Sequence, residues 1–217
     1  MDFKHIIWDF DGTLFNTYPH TAQAFLTMLR KEYMVHENVH EIEKNMRISM
    51  QHAYDFYKEK FEINDYFIEK FNDFRALYEN QHALPTNDAY LVCKFIYDQG
   101  SFNYLHTHRD KGALSMLQKH GFFNIFKDFI TCENSFPKKP APDALLHLAE
   151  KHGMDKAETL YIGDRGVDLE CAHNAGIRFC LFTPNVNNTP NADFAVQNFS
   201  DLYYILNSTL STKKNET

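Results

Sequence analysis

The chain opens on an apolar run, "HIIW" (5–8), that ends abruptly in Asp9, Phe10, Asp11, Gly12 and Thr13. A short apolar stretch closed by turn formers reads as a buried strand. The pattern then changes period. Ala22, Phe25, Leu26 and Leu29 fall at i, i+3, i+4 and i+7, and Phe67, Phe71, Phe74 and Tyr78 form a second stripe of that kind. No glycine occurs between Gly12 and Gly100, and the prolines of that stretch, Pro19 and Pro85, stand near its two ends. A segment so poor in turn formers predicts long helices packed through these stripes.

Beyond Pro85, strand and helix patterns alternate. Helices are expected over 87–99, 110–120, 142–152 and 167–175, closing at Gly100, Gly121, Gly153 and Gly176, because glycine suits the left-handed residue past a helix end. Between them, 102–107, 128–132, 159–163, 177–182 and 193–196 read as strands, with a short helix near 200–207. That order specifies an α/β fold: a Rossmann-like, mostly parallel sheet with helices on both faces. The core is expected over 1–15 and 84–217, with residues 16–83 as a helical insertion after the first strand. The tail "STKKNET" (211–217) offers nothing to bury and is expected to fray.

Composition narrows the class. Over 217 residues, 44% hydrophobic and 24% charged is the make-up of a globular chain. A formal net charge of −7 argues against a nucleic-acid backbone as partner. Cys93, Cys132, Cys171 and Cys180 show neither a metal-binding spacing nor a disulfide framework, so reduced, mostly buried thiols are expected. The sequence displays neither a signal peptide nor an apolar run that spans a bilayer. A cytoplasmic protein with no membrane partner, monomer or homodimer, is the expectation.

In parallel sheets, ligands bind at the carboxyl ends of the strands. There the predicted strands deliver Asp9 and Asp11, Thr107, Lys139 from the loop after 128–132, and Asp164 with Asp168 four residues on. Clustered carboxylates repel unless a cation lies among them. Oxygen donors without a His/Cys cluster select a hard ion, most simply Mg²⁺. The inventory suits phosphoryl transfer: Asp9 as nucleophile, Asp11 as proton carrier, Lys139 and Thr107 around the phosphoryl oxygens. Each residue also has a plainer reading. Asp168 in the first turn of a helix is favoured by the helix dipole alone, and Lys138 competes with Lys139.

Four stretches carry a resemblance. "DFDGT" (9–13), "YLHT" (104–107), "KKPAPDALL" (138–146) and "YIGDRGVDLECAHNAG" (161–176) resemble, in order and spacing, the four motifs of the haloacid dehalogenase superfamily. The layout is most similar to its phosphoglycolate phosphatase branch, and the likeness covers the whole core. It implies Asp9 as nucleophile and metal ligand, and Asp11 as general acid/base with its backbone carbonyl on the metal. Thr107 would bind the phosphoryl group and Lys139 would steady it. Asp164 would be a metal ligand, and Asp168 a metal ligand or a carboxylate behind it. The insertion would be a C1-type cap. Within the cap Arg47, with Lys44 and His52 as further candidates, is singled out for a second anionic group, and His108 for substrate contact.

Two departures guide the reading. The dehalogenases themselves lack the second aspartate, so Asp11 speaks against dehalogenation. "THRD" (107–110) stands where relatives often carry Thr-Asn-Lys. The expected substrate is therefore a small phosphorylated metabolite. A pyrophosphatase, a sugar-phosphate phosphatase, a β-phosphoglucomutase-like enzyme and a catalytically silent binding protein are the alternatives.

Overall fold

The computed structural model describes residues 3–186 and 191–208, so the expectation for 211–217 lies outside the described residues. The chain divides into two compact units, one of residues 1–14 and 85–217, the other of residues 15–84.

The first unit is an α/β domain. Its described strands are β1 (His5–Trp8), β2 (Phe102–His106), β3 (Phe126–Ile130), β4 (Thr159–Gly163), β5 (Arg178–Phe182) and β6 (Phe194–Val196). They form one sheet of order β3-β2-β1-β4-β5-β6, parallel at every pairing. β1 is central and wholly buried, as expected for a strand covered on both faces. The register sets Ile7 beside Tyr104 and Tyr161, and Tyr161 beside Phe179. That row packs against α7 (Asp143–His152) and α8 (Gly166–Ala175) through Leu145, Leu148 and Ala172. Trp8 points the other way and stacks on Phe199 of α9 (Phe199–Ser208), at 5.7 Å between ring centroids. α5 (Ala89–Asp98) lies on that face too, where its Cys93 carbonyl accepts from Asn103 Nδ2. α6 (Gly112–Lys119) completes this unit's helices among the described residues.

One strand departs from the sequence expectation by more than a residue. β3 runs over 126–130 and not 128–132. Thr131 turns the chain instead: its hydroxyl accepts from the Glu133 amide, and its own amide donates to Asn134 Oδ1 at 2.8 Å. This capping box starts a 3₁₀ turn at Cys132, so local hydrogen bonding overrides the strand preference of Thr and Cys.

The second unit is helical, built from α1 (Tyr18–Tyr33), α2 (Val39–Ile48), α3 (Met50–Phe61) and α4 (Asp65–His82). Asn38, Ser49 and Asn64 cap the last three, each side chain accepting a backbone N–H of the first turn. Both stripes read from the sequence turn inward. Phe25 meets Phe67 and Phe71 edge-on, at centroid distances of 5.5 and 4.9 Å.

Of the cysteines, Cys93, Cys171 and Cys180 are buried and Cys132 is exposed, all free. Among the described residues, no helix is long and apolar enough to cross a membrane.

Candidate active site

Asp9 stands one residue past β1, and its amide extends the ladder by donating to the Ile162 carbonyl at 2.9 Å. Thr107 does the same past β2, donating to Ile130. The carboxyl edge of the sheet thus places both without a loop's freedom. Gly12 follows with φ +73°, a left-handed turn that a side chain would strain. The turn is tied down by Thr86, whose hydroxyl donates to the Thr13 carbonyl at 2.6 Å.

Lys139 is the hub. Its side chain has no solvent access, and Nζ donates to Asp9 Oδ1 at 2.6 Å and to Asp168 Oδ1 at 2.7 Å. Asp168 also accepts from the Tyr161 hydroxyl at 3.1 Å and, through Oδ2, from the Arg165 amide at 3.2 Å. Both its oxygens are therefore engaged. Gly163 leaves room for this: a Cβ there would lie 2.7 Å from Cβ of Asp168.

The loop after β2 is equally determined. His108 Nε2 accepts from the Lys139 amide at 2.9 Å, so the ring is bonded to the backbone of the loop that carries the lysine. The Arg109 amide donates to Thr107 Oγ1 at 3.1 Å. Arg109 Nε lies 2.8 Å from each oxygen of Asp11, and Nη2 lies 2.6 Å from Oδ1.

Four motifs far apart in the chain thus meet at one sheet edge. A family model described as haloacid dehalogenase-like hydrolase matches residues 6–182. The chain belongs to that family. Phosphoglycolate phosphatase of Vibrio parahaemolyticus serotype O3:K6 is 28% identical over 94% of this chain and 96% of its own. The crystal structure of a hydrolase from Streptococcus pneumoniae TIGR4 superposes with a TM-score of 0.71 at 26% identity, over 95% of this chain and all of that one. The fold recurs with a TM-score of 0.80 at 21% identity, over 95% and 99% of the two chains, in the crystal structure of a predicted phosphoglycolate phosphatase from Haemophilus somnus 129pt.

The acidic set of this haloacid dehalogenase-like hydrolase fits a hard divalent cation. Asp9, Asp164 and Asp168 each present an oxygen that lies within 4.8 Å of the others. Asp9 Oδ2 and Asp164 Oδ1 are buried and accept no hydrogen bond. Such atoms are costly to strip of water unless a partner replaces it. The electrostatics agree. Burial, with Asp168 adding to it, pushes Asp9 up to about 6 against the pull of Lys139. Asp164 is driven well above the carboxylate range by burial, then by Asp9 and Asp168. A cation among them would reverse both shifts. Burial pulls the Lys139 pKa down, but Asp168 and Asp9 outweigh it and the pKa is raised.

Every site residue named from the sequence lies in the α/β unit except Arg47 and the two further candidates beside it, Lys44 and His52. Arg47 lies in the helical unit, on α2, paired with Glu43 at 2.8 Å and stacked 4.4 Å over the Tyr18 ring. His52, another cap candidate, bonds Asn45 at 3.1 Å. The sequence reading passed over Tyr161 and left Arg109 without a part. Tyr161 sits inside a motif, but its contact with Asp168 depends on the inward row of the sheet. For Arg109 the only signal was the departure of "THRD" from the usual motif.

Proposed function

We propose that this protein is a Mg²⁺-dependent phosphatase that hydrolyses a small phosphorylated metabolite, a phosphoglycolate-like phosphomonoester, through an aspartyl-phosphate on Asp9. One observation carries the reading. Asp9 is buried, held through Oδ1 by Lys139, and leaves Oδ2 without a hydrogen bond. That is how an in-line nucleophile is presented. The relationship to phosphoglycolate phosphatase supports the substrate class.

In this reading Asp9 Oδ2 attacks phosphorus, and the bond from phosphorus to the leaving oxygen breaks. Asp11 gives that oxygen its proton. Asp11 then takes a proton from the water that attacks the acyl-phosphate, releasing inorganic phosphate and restoring Asp9. Lys139 offsets charge on the phosphoryl group, and the Thr107 hydroxyl, which accepts from Arg109, keeps its own hydrogen to donate. His108 supports the site through Lys139. Asp9, Asp164, Asp168 and the Asp11 backbone carbonyl would hold Mg²⁺, which would add charge neutralisation to that of Lys139. The helical unit, inserted after the strand that carries Asp9, acts as a cap domain, and its Arg47 is a substrate-binding cation.

Phosphate release is to be measured over phosphoglycolate, other phosphate esters, an aryl phosphate and pyrophosphate, with Mg²⁺. Turnover should fall about a thousandfold or more in Asp9→Asn, the scale on which loss of a covalent nucleophile is felt. Absence of turnover on the whole panel with Mg²⁺, Mn²⁺ and Co²⁺ would overturn the enzyme reading. Isomerisation of a sugar phosphate without phosphate release would make the protein a mutase.

A further inference from the structure

Arg109 is held at each of its ends. Its amide donates to Thr107 Oγ1 at 3.1 Å, and its carbonyl accepts from the Cys132 amide at 2.9 Å. Its guanidinium engages both oxygens of Asp11, 98 residues away in the chain, and Cζ lies 5.3 Å from the centroid of the fully buried Phe10 ring. The Arg109 side chain is 15% exposed and that of Asp11 26%. An exposed ion pair between two long side chains does little. This one is different in kind. It is largely withdrawn from water, and its cation is planar and fixed by its own backbone and by an aromatic face.

A carboxylate rotates about its last torsion over a broad range. A planar guanidinium meeting both oxygens sets the position and the plane of that carboxylate, which an ammonium, a point donor, cannot do. Asp11 is the residue that carries the proton in the function proposed above, and a proton transfer tolerates little misalignment. We infer that Arg109 is a positioning residue for Asp11, fixing the carboxylate against the leaving oxygen while its amide orients the Thr107 hydroxyl. This inference rests on the phosphatase reading. It makes the departure of "THRD" from the common Thr-Asn-Lys a working part of the site, in which one residue ties the phosphoryl-binding hydroxyl to the proton carrier.

The test separates proton delivery from everything else by changing the leaving group. p-Nitrophenolate departs without a proton, whereas an alkoxide needs one. The ratio kcat/KM ends with the first chemical step, in which the leaving group departs. For Arg109→Ala, kcat/KM on the best alkyl phosphate should fall about 30- to 100-fold, near the lower end of what general acid catalysis contributes. On p-nitrophenyl phosphate it should change by no more than about threefold. Arg109→Lys should recover part of the loss, and it serves as the working variant if the alanine variant lacks the native far-ultraviolet circular dichroism. In an Asp11→Asn background, Arg109→Ala should cost nothing further, because two residues acting through one proton are not additive.

Equal losses on both esters, an effect confined to KM, or full additivity with Asp11→Asn would overturn the assignment. An effect confined to KM would make Arg109 a substrate-anion contact instead. An inactive wild-type protein would refute the phosphatase reading and this inference together. Active wild type, dead Asp9→Asn and unimpaired Arg109→Ala would refute this inference alone.

Discussion

Lys139 shows how a residue with no water around it can keep a charge. Its ammonium lies between Asp9 and Asp168, at 2.6 and 2.7 Å, and their attraction exceeds the cost of burial. Its backbone neighbour works by the opposite rule. His108 Nε2 accepts the Lys139 amide, so the fold uses the neutral ring. Burial, and then Lys139 itself, lowers the His108 pKa from 6.5 to about 4. Between those values the unfolded chain takes up a proton that the native state refuses, so stability falls as pH falls through that window. Asparagine keeps an acceptor and cannot titrate. Urea midpoints followed from pH 7.5 to pH 4.5 should decline less steeply in His108→Asn than in the wild type, the gap opening below about pH 6.5. Parallel curves would mean that the ring carries a proton in the native state. The difference between the two proteins is the quantity to read, because His5 and His106 are lowered by burial too and act in the same direction in both.

Strand-to-helix junctions are where this fold turns sequence into geometry. β4 delivers Gly163 and Asp164, and the first turn of α8 brings Asp168 back beneath them. An added Cβ at Gly163 would lie 2.7 and 2.8 Å from Cβ and Cγ of Asp168, whereas at Gly166 it would meet nothing within 4 Å. Gly163→Ala should therefore destabilise the protein by about 1–3 kcal/mol through overpacking. It should also lower phosphate release, since Asp168 cannot move without moving Lys139. Gly166→Ala, the control, should leave activity unchanged. If both alanines behave alike, the close approach at Gly163 has no consequence. Such junctions were legible in the sequence because a motif is local: a strand, a turn and the acids beside it occupy a few consecutive residues. Contacts made by the folded sheet were not. The Trp8 indole donates to Asn103 Oδ1 at 2.9 Å across 95 residues, and the Asn103 amide donates to the carbonyls of Cys93 and Ile125. An asparagine in the expected strand "FNYLHT" gave no sign of that network, because alternation tells which way a side chain points and not what it meets. The pairing of Arg109 with Asp11 escaped for the same reason. β3 moved by two residues because the capping box at Thr131 competes with strand pairing over a distance that propensity does not resolve.

At the scale of the whole chain, each unit packs a core of its own. One packs α7 and α8 on the inward row of the sheet, and the other surrounds Phe25 in the helical unit. The protein's only tryptophan, Trp8, is fully buried in the α/β unit, on the opposite face of its sheet against Phe199. Its fluorescence reports that unit, while far-ultraviolet circular dichroism reports the helices of both. Phe25 is fully buried, and its ring centroid lies 5.2 Å from that of Tyr57 and 4.9 Å from that of Phe71. Truncating such a ring leaves a cavity and costs about 3–5 kcal/mol. If each core carries its own stability, Phe25→Ala should split the urea transition. Part of the dichroism should be lost early, while the fluorescence midpoint stays within error of the wild type. Coincident early transitions by both probes would instead mean that the two units fold as one cooperative body. The choice matters for function. If the helical unit is the cap proposed above, its separate unfolding would leave Asp9, Lys139 and Asp164 in place, so in Phe25→Ala hydrolysis of a small aryl phosphate should outlast hydrolysis of the best metabolite ester as urea is raised.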